Sequence, residues 1–299
     1  MPNWIYFALV GQGIWAFTSI VDKIVISKGY IKNPFVYIVL NGLMNVFLVF
    51  LLPFFNFGPL KFTDILIALF AGVMLSAAVT VYYKSVQYDE ISRIKIMYQM
   101  EPILVLVLAF IFLGNVLTKK HFTGFLFLVA AGMIVSYNRT KKSFKLSKSF
   151  YLVLISILFA AFGYIAAKHI LSVTSFWSAF LWLRLANSSA LCVLLVPSIR
   201  NEFFETFKNM KNSIRSLLGF KMVIDFSAFI FANYALVNGP VALVAAMETS
   251  VSPLFVFIMT LLTSVYFPRI LKEGMNKKTI FIKLSAILFI IIGIAFINL

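Results

Sequence analysis

Apolar segments long enough to cross a lipid bilayer follow one another along almost the whole chain. A transmembrane α-helix needs about 20 consecutive apolar residues. Hydrophobic types make up 62% of the 299 residues and charged types only 12%, whereas a soluble domain has roughly 25% charged residues. One water-soluble core cannot bury so much apolar surface. The sequence therefore predicts an all-α integral membrane protein surrounded by a lipid bilayer.

We predict ten transmembrane helices joined by short connections. Turn residues mark several connections, for example Gly58-Pro59 and Asn238-Gly239-Pro240. The longest basic connection falls at the middle of the chain, in residues 139–149. The predicted spans are residues 4–26, 34–55, 64–85, 94–113, 122–137, 150–171, 176–196, 214–237, 241–262 and 279–298.

The chain resembles itself when it is shifted by 151 positions. Pro102 then falls on Pro253 and Tyr83 falls on Tyr234, in matching places of two groups of five spans. Because five is an odd number, the second group must cross the membrane in the opposite sense. The sequence thus predicts two inverted five-helix repeats, 1–138 and 150–299, joined by the basic linker 139–149. In transporters of this architecture the substrate lies near the middle of the membrane, between the repeats.

A local motif in the first half supports a more specific interpretation. Residues 97–132 contain Met-Tyr-Gln-Met-Glu-Pro, an apolar span, Leu113-Gly114-Asn115, a basic turn and a helix with two glycines. The second half repeats the pattern with Pro253, Glu273, Lys277-Lys278 and Gly293. This pattern resembles the repeat of the drug/metabolite transporter superfamily, in particular its EamA-type members, although Asn115 stands where that family usually has Glu. The resemblance implies a secondary carrier, often an exporter of amino acids or related metabolites, with a cavity between the halves.

Charge distribution and the resemblance disagree about orientation. If residue 1 lies outside, the inner connections and their flanks hold most of the Lys and Arg residues, Lys221 among them, as the positive-inside bias requires. The resemblance implies instead that both termini are cytoplasmic. The sequence leaves this conflict open. It predicts a multi-pass protein of the cell membrane and leaves open whether the chain forms a homodimer.

Charged side chains inside the predicted spans are the first candidates for function, because such groups are costly in a membrane. In the second half, Arg184, Asp225 and Glu248 fall at similar depths, roughly 10 to 18 Å from one face at about 1.5 Å per residue. One cation and two carboxylates there could neutralise one another, hold a zwitterionic substrate or exchange a proton. The alternative is a structural ion-pair cluster between helices.

Two prolines give the best pointer to a binding site. Glu101 directly precedes Pro102, and Glu248 precedes Pro253 in the matching span. Interrupted spans at corresponding places of two halves indicate a site for substrate. For each aromatic candidate the alternative role is packing or anchoring at the membrane interface. The predicted substrate-binding or proton-coupling residues are Trp15, Asn41, Tyr83, Tyr98, Glu101, Arg184, Asp225, Tyr234 and Glu248.

Several other functions are not indicated. The net charge is +16, but the basic residues lie in short segments between apolar ones, so no extended face for nucleic acid is predicted. Cys192 is the single cysteine, which excludes an internal disulfide and a cysteine-based metal site. We find no phosphate-binding loop and no nucleophile elbow. We therefore expect no catalytic residues, no metal and no cofactor.

The predicted function is secondary transport of a small metabolite rather than catalysis. The small-molecule substrate would be an amino acid or a related compound, and the direction would be export. One alternative is a membrane-embedded enzyme or flippase acting on lipid-linked substrates, which would place a polar cluster at a membrane face. Another is a non-transporting subunit, which would have no cavity.

Overall fold

The computed structural model describes residues 2–27, 29–31, 33–47, 50, 54, 57–86, 88, 94, 97–136, 148–266 and 277–298. Within these residues the chain is helical and has no β-strand. Most of the predicted linker 139–149 and Glu273 lie outside the described residues. The helices are α1 Asn3–Ser27, α2 Pro34–Phe47, α3 Phe62–Val86, α4 Glu101–Leu113, α5 Lys119–Ser136, α6 Lys148–Val173, α7 Phe176–Asn187, a 3₁₀ helix Ser188–Leu195, α8 Pro197–Asn209, α9 Asn212–Asn238, α10 Val241–Tyr266 and α11 Lys277–Asn298.

In the part of the chain that the structure describes, six helical segments are long and apolar enough to cross a membrane. Three further apolar helices, Phe35–Val46, Glu101–Leu113 and Leu284–Asn298, are shorter. Large apolar side chains point outward, as on α4, where Phe110, Ile111 and Phe112 are all more than half exposed. Contiguous apolar surface of this kind requires lipid rather than water as its neighbour. An all-helical, multi-pass membrane protein is therefore confirmed, and the count of ten spans stays a prediction.

The predicted span 176–196 is not one continuous α-helix. Helix α7 ends at Asn187, and the chain continues as the 3₁₀ helix Ser188–Leu195. The Ser188 hydroxyl donates to the carbonyl of Leu185 at 2.5 Å, and serine side chains that bond to nearby carbonyls disturb regular helix. A 3₁₀ helix of this length is uncommon and marks a change of path in the chain.

Helix α8 was not predicted, because its sequence lacks a long apolar run. It lies in the connection after the 3₁₀ helix and begins with Pro197 in its first turn, where the missing N–H is not needed. Phe203 is 6% exposed, whereas Phe204 is 61% exposed, so one face is packed and the other is free. The Asn33 side chain, just before α2, donates to the Glu202 carboxylate at 2.6 Å and ties α8 to the first half.

The most extensive helix contacts join the two halves of the chain. Helix α3 packs on α6, and α1 packs on α9; likewise α4 packs on α6, and α1 packs on α10. In the predicted repeat, α1 corresponds to α6, α3 to α9 and α4 to α10. Exchanging these counterparts turns the α3–α6 contact into the α1–α9 contact, and the α4–α6 contact into the α1–α10 contact. The α5–α11 contact and the α4–α10 contact each join a helix to its own counterpart, so the same exchange leaves them unchanged.

Helices α5 and α11 approach each other closely at two glycines. A Cβ atom on Gly124 would lie 2.8 Å from the carbonyl oxygen of Gly293, and a Cβ on Gly293 would lie 3.1 Å from that of Gly124. Small residues at such a crossing let two backbones make close contact where no hydrophobic effect drives helices together.

The bundle has two ends, which we name from the chain. The terminal end is where α1 and α10 begin and where α6 and α9 end. The linker end is where α1 ends and where α6 and α9 begin. At the terminal end, the Lys168 amino group donates to the carbonyls of Leu236, Val237 and Gly239 at 2.6, 2.9 and 3.1 Å. This lysine therefore fixes the end of α6 to the turn between α9 and α10.

Candidate functional site

A cavity of about 630 Å³ lies between the two halves. Its volume is within the range of small-molecule sites, about 300 to 1,000 Å³. Helices of both halves contribute to the lining, namely α1, α2, α3 and α4 from the first and α6, α7, α9 and α10 from the second. The lining combines apolar and aromatic side chains with buried charged groups.

The structure brings most of the predicted site residues together. Tyr234 does not line the cavity, because its ring stacks on Phe176 at the terminal end, with 3.7 Å between ring centroids. It also contacts the ring of Phe7. The predicted residues that do line the cavity are Trp15, Asn41, Tyr83, Tyr98, Glu101, Arg184, Asp225 and Glu248.

An ionic cluster lies on the linker-end side of the cavity. The Lys221 amino group is 3.2 Å from a carboxylate oxygen of Asp22 on α1, and it also pairs with Asp225 one turn later on α9. The Tyr37 hydroxyl on α2 donates to Asp22. Lys221 is only 5% exposed. Its assignment to the flank of a connection was therefore wrong, since its side chain points into the bundle.

The charges of the second half do not neutralise one another as the sequence allowed. Asp225 pairs with Lys221, and Glu248 accepts a hydrogen bond from the Tyr164 hydroxyl at 2.7 Å. Among the residues that the structure describes, Arg184 forms no ion pair with a carboxylate. Similar depth in the membrane does not bring groups together when the helices turn them toward different neighbours.

The Arg184 side chain is held in a defined position inside the cavity wall. It is 5% exposed, and its guanidinium carbon lies 4.1 Å from the centre of the Phe229 ring, a distance typical of a cation–π contact. With the Asn187 amide oxygen turned toward it, that oxygen accepts from Nη2 at 3.0 Å, while the amide nitrogen donates to the Gly72 carbonyl at 3.1 Å. No acceptor in the described chain lies within hydrogen-bond distance of Nε.

Gly72 makes this arrangement possible. A Cβ atom at this position would collide with the backbone of Ala186, so α3 could not come as close to α7 with any larger residue. The close approach places the Gly72 carbonyl against Asn187 and thereby orients the amide that holds Arg184.

Glu101 and Glu248 form a second group of charged residues. Both are buried and line the cavity, Glu101 from the start of α4 and Glu248 from α10. Helix α4 begins at Glu101 after a turn at Gln99 and Met100, so Pro102 lies in its first turn. Pro253 lies inside the continuous helix α10. The two prolines therefore have different local roles, although each lies on the same helix as one of the two glutamates.

A row of tyrosines connects the two charged groups. The ring centroids of Tyr37 and Tyr83 are 5.9 Å apart, those of Tyr83 and Tyr82 are 5.5 Å apart, and those of Tyr82 and Tyr98 are 5.1 Å apart. All three pairs meet edge to face. Such side chains give a cavity an apolar wall with polar tips.

Sequence reasoning missed Tyr37, Tyr164 and Lys221 as parts of the site. Their contacts join positions far apart in the chain, and no local motif marks them. For Lys221 one signal was available: Asp225 lies four residues later, at the helical spacing that lets opposite charges pair.

Residues 2–137 match the model of the EamA-like transporter family. These residues belong to that family. The resemblance to the drug/metabolite transporter superfamily is thus confirmed, and the EamA-like segment indicates a membrane transporter. Residues 2–137 contribute part of the cavity lining, including Trp15, Tyr83, Tyr98 and Glu101. The second half contributes Arg184, Lys221, Asp225 and Glu248.

The fold also occurs in the solved crystal structure of another protein. The two chains superimpose with a TM-score of 0.66 at 14% sequence identity, over 97% of this chain and 98% of the other. At this identity the likeness shows a shared fold alone. A search of curated proteins found no match.

Proposed function

We propose that this protein is a secondary transporter that moves a small polar metabolite, an amino acid or a related compound, across the cell membrane by alternating access. The observation that carries the proposal is the central cavity, which lies between the halves and is lined by buried charged groups from both. Charged groups within a membrane protein usually face the route of a substrate or an ion. Their position inside the bundle, rather than at a membrane face, favours a carrier over an enzyme or flippase for lipid-linked substrates. The proposed direction is export.

The proposal includes two inverted five-helix repeats. Its support is the pattern of helix contacts, in which exchanging the halves turns the α3–α6 contact into the α1–α9 contact and the α4–α6 contact into the α1–α10 contact. Two repeats related in this way can exchange their conformations, and that exchange opens a central site first to one side and then to the other.

The structure fits a state in which the terminal end is closed. Phe176 stacks on Tyr234 there, Lys168 binds the α9–α10 turn, and the imidazole of His169 contacts the Asp64 carboxylate at 3.2 Å. Tyr83, the counterpart of Tyr234 in the other half, lines the cavity instead. In the opposite state, we expect the Phe176–Tyr234 stack to separate and Tyr234 to line the cavity.

The carboxyl groups of Glu101 and Glu248 are the proposed proton-exchange pair. Both carboxyl groups are buried and line the cavity, and ionisable groups inside membrane proteins often relay protons. Transport coupled to protons would use this pair to bind a proton on one side of the membrane and release it on the other.

Substrate counterflow in proteoliposomes tests the proposal. Purified protein should exchange a labelled amino acid or related compound saturably. The variants Glu101→Gln and Glu248→Gln should lose accumulation driven by a proton gradient while keeping exchange, because they cannot release a proton. Glu205→Gln, on the exposed face of α8, is the matched control and should behave like the parent. Absence of exchange with amino acids, sugars and nucleosides alike would contradict the proposal.

A further inference from the structure

We infer that Arg184 anchors the carboxylate of a zwitterionic substrate. This inference rests on the proposed transport function and names the chemistry that its substrate must carry. It starts from the different surroundings of the two basic groups that line the cavity, Lys221 and Arg184.

Lys221 pairs with carboxylates of the protein, whereas Arg184 forms no such pair among the described residues. Lys221 pairs with Asp22 and Asp225. In the described part of the chain, the guanidinium group of Arg184 bonds to the amide of Asn187 and contacts the rings of Phe229 and Phe180, and its Nε has no hydrogen-bond partner. A guanidinium group has five N–H donors, so most of its donor capacity is not used by the protein. A buried charge without a partner is costly, and an anionic ligand would remove that cost.

The contacts of Arg184 also fix the direction in which it can bind. The N–H donors of a guanidinium group form a fixed fork in one plane, so an acceptor must approach in that plane, and the Phe229 ring packs against the group. Asn187, itself held by the Gly72 carbonyl, sets the rotation of that plane. A planar fork of N–H donors fits the two oxygens of a carboxylate or a phosphate better than any single-atom acceptor.

The charge balance of the cavity distinguishes between a carboxylate and a phosphate. Among the described residues, four carboxyl groups line it, those of Asp22, Glu101, Asp225 and Glu248, against the two basic groups. A doubly negative phosphate would add to this excess of acidic groups. A substrate with one carboxylate and one amino group has no net charge and does not add to this excess. The cavity therefore favours a zwitterion.

Matched compounds test the inference in binding and in transport. For each of several side chains, the purified protein is titrated with the L-amino acid, its carboxamide and its phosphonate analogue, and the same compounds are used in counterflow. We expect the carboxylate form to bind about 10- to 100-fold more tightly than the carboxamide, as for a lost charged hydrogen bond. Arg184→Gln should remove this preference. Arg184→Lys should keep part of it, because the charge stays and the fork is lost.

The control and the outcomes separate this inference from the proposed function. Arg200→Gln, on the exposed side of α8, should keep the preference. Equal binding of carboxamide and carboxylate by the parent protein, with transport of both, would overturn the anchor and leave transport standing; this comparison needs no variant to fold. Tighter binding of the phosphonate would show that the anchor prefers a doubly negative group to a carboxylate and would overturn the inference. Neither binding nor exchange of any compound would overturn both.

Discussion

Lys221 is the side chain that pairs with two aspartates, Asp22 and Asp225. All three side chains are largely shielded from water. Removing one partner of a buried ionic group leaves the other charges uncompensated, which costs about 3 to 5 kcal/mol. The ionic cluster thus couples the first half of the chain to α9 through one amino group.

Lys221→Met should therefore lower the stability of the purified protein by about 3 kcal/mol and lower its Tm in detergent. Lys208→Met, at an exposed position of α8, should leave the Tm almost unchanged. The combined change of Lys221→Met with Asp22→Asn should recover part of the loss. If Lys221→Met and Lys208→Met had the same Tm, the ionic cluster would have no role in stability.

For single residues, the sequence identifies candidates for function better than it identifies the residues that they contact. Charged groups inside an apolar span are costly and are therefore candidates for function. This criterion identified Glu101, Arg184, Asp225 and Glu248. Their partners could not be predicted, since position along a helix gives depth but not the neighbour that faces each side chain. The pairing of Lys221 across to Asp22 and the bond from Tyr164 to Glu248 both join distant parts of the chain.

Among the elements, α8 depends on a single buried aromatic side chain. Phe203 packs in a cluster with Val36, Leu40 and Met210 near the linker end. Its neighbour Phe204 points outward. The two residues have the same chemistry and adjacent positions, so they form a matched pair for measuring the packing of this helix.

Phe203→Ala should destabilise the protein by about 3 kcal/mol, the lower end of the cost of emptying a buried phenylalanine site. Phe204→Ala should change stability by less than about 0.5 kcal/mol. Thermal unfolding of both variants in the same detergent gives the comparison. A similar loss for both would mean that α8 does not pack on the bundle through the Phe203 face.

The contact between α3 and α7 leads to a prediction about Gly72. Gly72→Ala would push a methyl group into the backbone of Ala186, and overpacking of this kind costs about 1 to 3 kcal/mol. Gly219→Ala, on α9, meets no atom of the described chain within 4 Å and should be neutral or slightly stabilising because alanine favours helix. The difference between their Tm values tests the contact; a stable Gly72→Ala would show that α3 can move away from α7 at no cost.

The long helices were predicted to within a few residues, because apolar length alone decides where a chain can cross lipid. Helix α8 was missed because this criterion finds only apolar runs. A weaker signal was present: Ile199, Phe203 and Phe207 are spaced four apart, as on one face of an amphipathic helix. Hydropathy hardly changes at the switch from α-helix to 3₁₀ helix after Asn187, so the apolar pattern did not predict it. Ser188 was a weak signal, because serine side chains that bond to nearby carbonyls disturb regular helix.

For the whole molecule, inverted repeats require that the N-terminus and the mid-chain linker lie on opposite sides of the membrane. Cysteines introduced as Asn3→Cys and, separately, Ser143→Cys in a Cys192→Ser background should react with an impermeant maleimide from opposite sides. An odd number of spans must separate the two positions. Labelling of both from the same side in sealed vesicles of one orientation would rule out the inverted arrangement.

Alternating access makes a prediction at the terminal end. A short thiol crosslinker between Phe176→Cys and Tyr234→Cys should stop counterflow, because it prevents the separation of the two positions, and cleavage of the crosslinker should restore it. The single variants, treated in the same way, should remain active. Full activity of the crosslinked protein would show that this end does not open during transport.

Because the first half makes its largest contacts with helices that come later in the chain, it cannot reach its final packing while the ribosome is still producing the second half. Helices α1 and α3 must wait in the bilayer, with polar side chains such as Asp22 uncompensated, until α9 and α6 arrive. A prematurely terminated product would expose these surfaces permanently. We expect the proteases of the membrane to degrade such a truncated product, because folding of the first half requires that the second half has been synthesised.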